Sequence, residues 1–188
     1  MSIKKEEKRI ALLKAALELF AERGFNNSPT ALIAKRAGVA SGTLFFHFNS
    51  KEELIRELFN EIRDRIELNI LANDQPDKPV KERLFSGFYG LLNYFLDHPD
   101  EFKFIEQYYF SPFNNHPNSV PDENEKLIQL LLEARDQGLV KNESILFLKI
   151  IAFGPLTHLA KEHAQRGTPI DEHTMLQIVQ ACWDGLAK

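Results

Sequence analysis

Apolar residues recur along this chain at intervals of three and four, the spacing of a helix with one buried face, and no stretch alternates in the β-branched pattern of a strand. The spacing predicts an all-α fold of about nine helices and no sheet. Ile10, Leu13, Leu17 and Phe20 mark a first helix over residues 4–23, stopped by Gly24. Ser28 followed by Pro29 has the form of an N-cap with proline in the first turn, which opens a second helix to Ala37. After a tight Gly38-Val39-Ala40 turn, a third short helix covers Ser41–His47. Leu54, Leu58, Ile62, Ile66 and Ile70 define a long fourth helix, ending before the polar, proline-punctuated stretch from Asn73 to Pro79.

The second half continues in the same way. Leu84, Phe88, Leu91 and Phe95 define a fifth helix, and His98-Pro99-Asp100 separates it from a sixth that ends near Ser111-Pro112. The Asn- and Pro-rich segment from Ser111 to Pro121, which includes His116, reads as loop. Asp122 with Glu125 resembles a capping box for a seventh helix, which Gly138 stops. Asn142 is expected to cap an eighth helix carrying Ile145, Leu148, Ile151, Leu156 and Leu159 as far as Gly167, with a bend near Gly154 where Pro155 removes a backbone bond. Asp171 caps the last helix, whose apolar side holds Met175, Ile178, Val179, Cys182 and Leu186.

Charge changes the picture. The chain has a formal net charge of −4, but residues 1–51 hold nine Lys or Arg against four Glu, so the positive charge is concentrated at one end. Only that end has the sign that releases counterions from phosphates; the acidic remainder is repelled by nucleic acid. Two domains are therefore expected, residues 1–50 for DNA and residues 51–188 for the rest. Cys182 is the single cysteine, which suits a reducing cytoplasm, and no apolar run reaches the roughly 18 residues of a membrane span.

Residues 28–47 have the layout of a helix-turn-helix: two short helices, a three-residue turn containing glycine, and Ala34, Ala37 and Gly38 where the helices cross closely. The run SPTALIAKRAGVASGTLFFHFNSKEEL, Ser28 to Leu54, resembles the N-terminal signature of the TetR family of regulators. That resemblance implies an N-terminal three-helix DNA-binding unit and a larger C-terminal helical domain for ligand binding and dimerisation. It implies that Ser41, Gly42 and Phe45 approach base edges and that Ser28, Thr43, His47 and Lys51 contact phosphates, with the third helix in the major groove. Phe46 joins the DNA-facing candidates, although Phe48 and one of the adjacent pair are expected in the core. Two positions depart from the family pattern: Phe45 stands where Tyr is usual, leaving an apolar contact such as a thymine methyl, and Ala40 replaces a capping Ser unless Ser41 takes over. Lys35 and Arg36 read as solvated surface charges.

Residues 85–113 hold eleven of the chain's twenty Phe, Tyr and Trp, a density that fits either a packed core or an aromatic pocket. The resemblance implies a small-molecule effector of apolar or aromatic character, and Phe88, Tyr89, Leu92, Phe95, Phe102, Glu106, Tyr108, Tyr109, Phe113 and Phe147 are the pocket candidates. It also implies a homodimer through the last two helices, for which Ile151, Leu159, His163, Met175, Ile178, Val179 and Cys182 are the candidates. Two heads related by a dyad would read an operator with half-sites about one helical turn, 34–36 Å, apart. Two other readings remain, an enzyme and a helix-turn-helix adaptor for protein. His158 and His163 are five apart and do not share a helix face as a metal pair would, and there is no nucleophile elbow or phosphate-cradling glycine loop. No cofactor or metal is expected.

Overall fold

The computed structural model describes residues 3–115 and 125–188. Among them the regular elements are helical: α1 (Ile3–Arg23), α2 (Thr30–Arg36), α3 (Ser41–His47), α4 (Lys51–Asn73), α5 (Val80–Asp97), α6 (Pro99–Tyr109), a 3-10 turn (Pro112–Asn115), α7 (Lys126–Asp136), α8 (Ile145–Arg166) and α9 (Glu172–Leu186). The only extended pairing among the described residues is an isolated bridge between Val140 and Ala187. His116 and the proposed Asp122 capping box lie outside the described residues; Glu125 occupies the N-cap of α7.

The chain divides into two compact units, one built from the residues up to Arg63 and from Asp100 through the 3-10 turn, the other from Asp64–Pro99 and from α7 onward. The sequence reading placed a boundary at residue 50. In the structure the first unit also takes in the start of α4 and nearly all of α6.

In the first unit α1, α2 and α3 pack on one another. The buried face of α1 is Leu12, Leu13, Ala16, Leu19 and Phe20, whereas Ile10 is 56% exposed. The stripe read from sequence was thus rotated, because Leu12 and Leu19 also satisfy a helical period. Ile33, Leu44, Phe48, Leu54, Ile55, Phe104 and Tyr108 complete this core. Its aromatics interlock: the Phe25 ring meets Phe20 edge-on at 5.1 Å, Phe104 at 5.5 Å and Phe113 at 5.7 Å, and Phe59 stacks on Tyr108 at 3.8 Å. Each such pair adds roughly 0.5–1.5 kcal/mol beyond area burial.

The second unit centres on α5, which packs against α7, α8 and α9. Leu84, Phe88, Leu92, Leu127, Leu131, Leu148, Leu156, Val179 and Leu186 are buried there. Gly87 lets α5 and α7 approach, since a Cβ at that position would lie 2.3 Å from Leu127 Cδ2. Asp74, just beyond α4, accepts a bidentate pair from Arg83 at 2.8 and 3.0 Å and lies 2.9 Å from Lys126 Nζ. This ties the α4–α5 connection to α7. The eighth helix is capped by the Ser144 hydroxyl on the Phe147 amide, in place of Asn142, and runs uninterrupted through Pro155 to a left-handed Gly167. Asp171 caps α9 through the Thr174 amide as expected.

Candidate nucleic-acid interface

The geometry of the reading head is set by the turn between α2 and α3. Gly38 has φ +70°, a conformation a Cβ would disfavour, and its amide bonds the Lys35 carbonyl while Val39 bonds that of Ala34. This pair of bonds closes α2 and leads within three residues into α3. Ala40 supplies no side-chain cap, and Ser41 does not replace it; the first turn of α3 is held by Thr43 N–H on the Ala40 carbonyl at 2.8 Å. Leu44 and Phe48 are fully buried and anchor α3 from beneath.

Burying those two residues turns Ser41, Gly42, Phe45 and Phe46 outward. Phe45 is 55% and Phe46 69% exposed, so neither enters the core. The expectation that one of them would is corrected: Phe45 and Phe46 follow Leu44 by one and two positions and so lie off its face, whereas Phe48, the C-cap four positions on, shares that inward face and fills it with Leu44.

Beside this face lie three lysines that sequence reading had counted only as net charge. Lys4, Lys5 and Lys8 of α1 share a surface hollow with Gly42, Thr43, Phe46 and His47. Lys5 Nζ stands 4.8 Å over the Phe46 ring. The lysines' i, i+1, i+4 spacing on one helix flank was the signal available. His47 is half-buried; desolvation, then the charges of Lys5 and Arg9, hold its pKa below the usual value, so it is a neutral donor near pH 7. Arg9 itself is committed elsewhere, at 2.5 Å to Glu57 and 2.7 Å to Glu61 of α4. Arg36 is likewise paired, with Glu22 at 3.0 and 3.2 Å and Glu18 at 3.3 Å, whereas Lys35 is exposed.

Two of the expected phosphate contacts sit differently from the rest. Ser28 is fully buried, its hydroxyl 2.8 Å from the Gly24 carbonyl and 3.0 Å from that of Leu19, where it closes the end of α1. Its side chain is inaccessible to a phosphate, and that assignment is corrected; position N-cap of α2 belongs to Pro29. Lys51 donates to the Phe25 carbonyl and lies 5.9 Å from the Phe20 ring, and partial burial lowers its pKa. An ammonium has three donors, so two remain for an anion. Ser50 caps α4 through the Glu53 amide at 3.1 Å, with Glu52 and Glu53 in the first turn.

The ten pocket candidates divide between the units. Phe102, Glu106, Tyr108, Tyr109 and Phe113 belong to the first, where Tyr108 is packed on Phe59 and donates to the Phe113 carbonyl at 3.2 Å. Tyr108 and Phe102 are core there, 2% and 3% exposed. Phe88, Tyr89, Leu92, Phe95 and Phe147 belong to the second, with Phe88 against Phe153 at 6.0 Å. Of the dimer candidates, Met175, Val179 and Cys182 are buried within the chain itself and are corrected to core: α9 turns them toward the α5 and α8 side, and burial pushes the Cys182 thiol up to about 11. Ile151, Leu159, His163 and Ile178 are half-buried, and the outward stripe carries exposed Leu146 and Ile150 on α8 and Leu176 on α9.

Among the described residues no helix is long and apolar enough to cross a membrane, and no group of three His, Cys, Asp or Glu could hold a metal ion. A short helix presented outward over a glycine turn, flanked by lysines, is the layout of a helix-turn-helix DNA-binding regulator. Residues 12–58 match the family model for bacterial regulatory proteins of the tetR family, and residues 79–187 match that for the tetracyclin repressor-like C-terminal domain. The chain belongs to the TetR family of DNA-binding transcriptional regulators.

Solved structures agree. A TetR family transcription regulator from Marinobacter aquaeolei superimposes with a TM-score of 0.89 at 25% identity, covering 100% of this chain and 99% of that one. A TetR-family regulator from Haemophilus influenzae shares the fold at TM-score 0.82 and 19% identity, covering both chains completely. Among curated relatives, the fatty acid metabolism regulator protein of Bacillus subtilis is 42% identical over 57 residues, 30% of this chain and 29% of that protein. The HTH-type transcriptional repressor KstR2 of Rhodococcus jostii is 42% identical over 92 residues, 47% of this chain and 45% of that one. The matched stretch thus spans less than half of either of these curated relatives.

Proposed function

We propose that this regulator is a homodimeric, cytoplasmic repressor that holds a dyad-symmetric operator and is released by a small apolar or aromatic effector. The observation that carries the DNA side is the outward face of α3, Ser41, Gly42 and Phe45, set beside Lys4, Lys5 and Lys8. In this reading α3 enters the major groove, Ser41, Gly42, Phe45 and Phe46 face the bases, and Thr43, His47, Lys51 and the α1 lysines hold phosphates.

One seven-residue helix gives little specificity, so pairing through the outward stripe of α8 and α9 completes the reader. Leu146, Ile150 and Leu176 are the exposed apolar residues of that stripe, with Ile151, Leu159, His163 and Ile178 at its margins. In this reading the second unit's Phe88, Tyr89, Leu92, Phe95 and Phe147 receive the effector, Phe88, Leu92 and Phe95 being buried and Tyr89 and Phe147 partly exposed. A coupling of about 1–3 kcal/mol through α4, whose residues belong to both units, would change operator occupancy several-fold.

Selecting bound fragments from a random duplex pool tests partner, symmetry and spacing together. Recovery of an inverted repeat, with affinity falling about 10³-fold or more between 50 and 200 mM salt for six or more phosphate contacts, is the expected result. Recovery of no sequence, with salt-insensitive retention, would point to the protein-adaptor alternative.

A further inference from the structure

We propose that this regulator reads the 5-methyl groups of thymine through Phe45, which makes methylation state at the pyrimidine C5 a determinant of its operator. The inference rests on the DNA-binding reading above and deepens it. α3 consists of Ser-Gly-Thr-Leu-Phe-Phe-His and contains no Arg, Lys, Asn, Gln, Asp or Glu. The bidentate pairs that identify guanine and adenine in the major groove need Arg or Lys, and Asn or Gln, respectively. None can come from this helix.

The nearby guanidinium groups do not fill the gap. Arg9 is held by Glu57 and Glu61, and Arg36 by Glu18 and Glu22. What α3 offers a base edge is the Ser41 hydroxyl and phenyl surface. Of the two exposed rings, Phe46 is engaged by Lys5 on its face and by the His47 ring at 5.4 Å. Phe45 makes no ring or cation contact among the described residues, yet more than half of it is in water. Thymine is the one base that presents an apolar group in the major groove, so it is the partner whose contact removes that surface from water.

The test is a scan of the selected operator in which each thymine in turn is replaced by deoxyuridine, which deletes only the methyl. Burying one such carbon is worth a factor of about four in affinity. At one thymine per half-site, wild-type protein should therefore lose roughly fourfold, and roughly fifteenfold when both symmetric positions are changed. Replacing that thymine's pair by cytosine–guanine should lower affinity, and 5-methylcytosine at the same position should recover part of the loss. Phe45→Ala should bind uridine and thymine operators equally, and Phe45→Leu should retain the discrimination.

Indifference of the wild-type protein to uridine at every position would overturn the proposal while leaving DNA binding intact. So would an unchanged thymine preference in Phe45→Ala, since the methyl effect would then come from the duplex. Failure of the wild-type protein to bind any duplex in low salt would instead overturn the reading on which it rests.

Discussion

Gln107 donates a hydrogen bond from Nε2 to the main-chain carbonyl of Phe20 at 2.9 Å, across 87 residues of sequence. The Phe20 carbonyl also accepts the Gly24 amide at 2.9 Å, so Gln107 is its second donor at the end of α1. Phe104 and Tyr108 of the same helix close over Phe20, Phe25 and Phe59. Phe104→Ala should therefore destabilise the reading head by about 3–5 kcal/mol, although it is far from α3 in sequence. Amide exchange in α1–α3 should accelerate strongly; unchanged protection there would show that α6 does not support the head.

Ser28 gives a second test, because its burial separates structure from contact. Ser28→Ala leaves buried carbonyls of Leu19 and Gly24 short of a donor and should cost about 1–3 kcal/mol. Measured at a temperature where the variant is fully folded, operator affinity should stay within about twofold of wild type. A tenfold weaker complex at unchanged thermal stability would restore the direct phosphate role.

If His47 holds a phosphate as proposed, operator affinity should depend on pH. In the free protein its pKa is depressed by desolvation and by Lys5 and Arg9, with Glu6 opposing and Lys8 adding to the effect. A phosphate beside it stabilises the imidazolium and raises that pKa, so the complex binds a proton that the free protein does not. Affinity should rise as pH falls through the higher, complexed pKa and level off below the lower, free one. Titration of operator binding at constant salt should show this slope in wild type and lose it in His47→Gln.

Asp74 sets an acid limit on the second unit. Its carboxylate is held down to about 2 by the Arg83 hydrogen bonds and by Lys126. A depressed folded pKa gives stability that is present above the unfolded value near 4 and disappears as pH falls through the folded value. The pair's share is about 2 kcal/mol at neutral pH. Asp74→Asn keeps one acceptor oxygen but removes the negative charge that Arg83 and Lys126 share, and should cost about 2–4 kcal/mol at pH 7, a gap that narrows as denaturant titrations are repeated from pH 5 toward 2.5. A constant gap across that range would show that packing, not charge, holds the α4–α5 connection.

Much of this was written in the chain. The glycine stops at Gly24 and Gly38, the stripe Leu54–Ile70 and the Asp171 cap depend on local chemistry, and local chemistry is legible without a fold. Legibility failed where two local solutions compete. Ile10 and Leu12 both fit a helical stripe on α1, and only packing decides between them. Ser28 before Pro29 has the form of an N-cap, yet its hydroxyl turns back to α1 because the tight connection brings the Leu19 and Gly24 carbonyls closer. Met175, Val179 and Cys182 were recognised as an apolar face, but an apolar face can meet its own chain or a second one. The aromatic density of residues 85–113 likewise announced burial without saying that α6 would share a core with α1.

That sharing imposes an order on biosynthesis. The three reader helices leave the ribosome first, but the rings that roof Phe20, Phe25 and Phe59 are made only when the middle of the chain has been translated. Long-range closure of this kind is slow compared with helix formation. A nascent polypeptide therefore closes the core beneath its DNA-reading helices only once α6 has been translated.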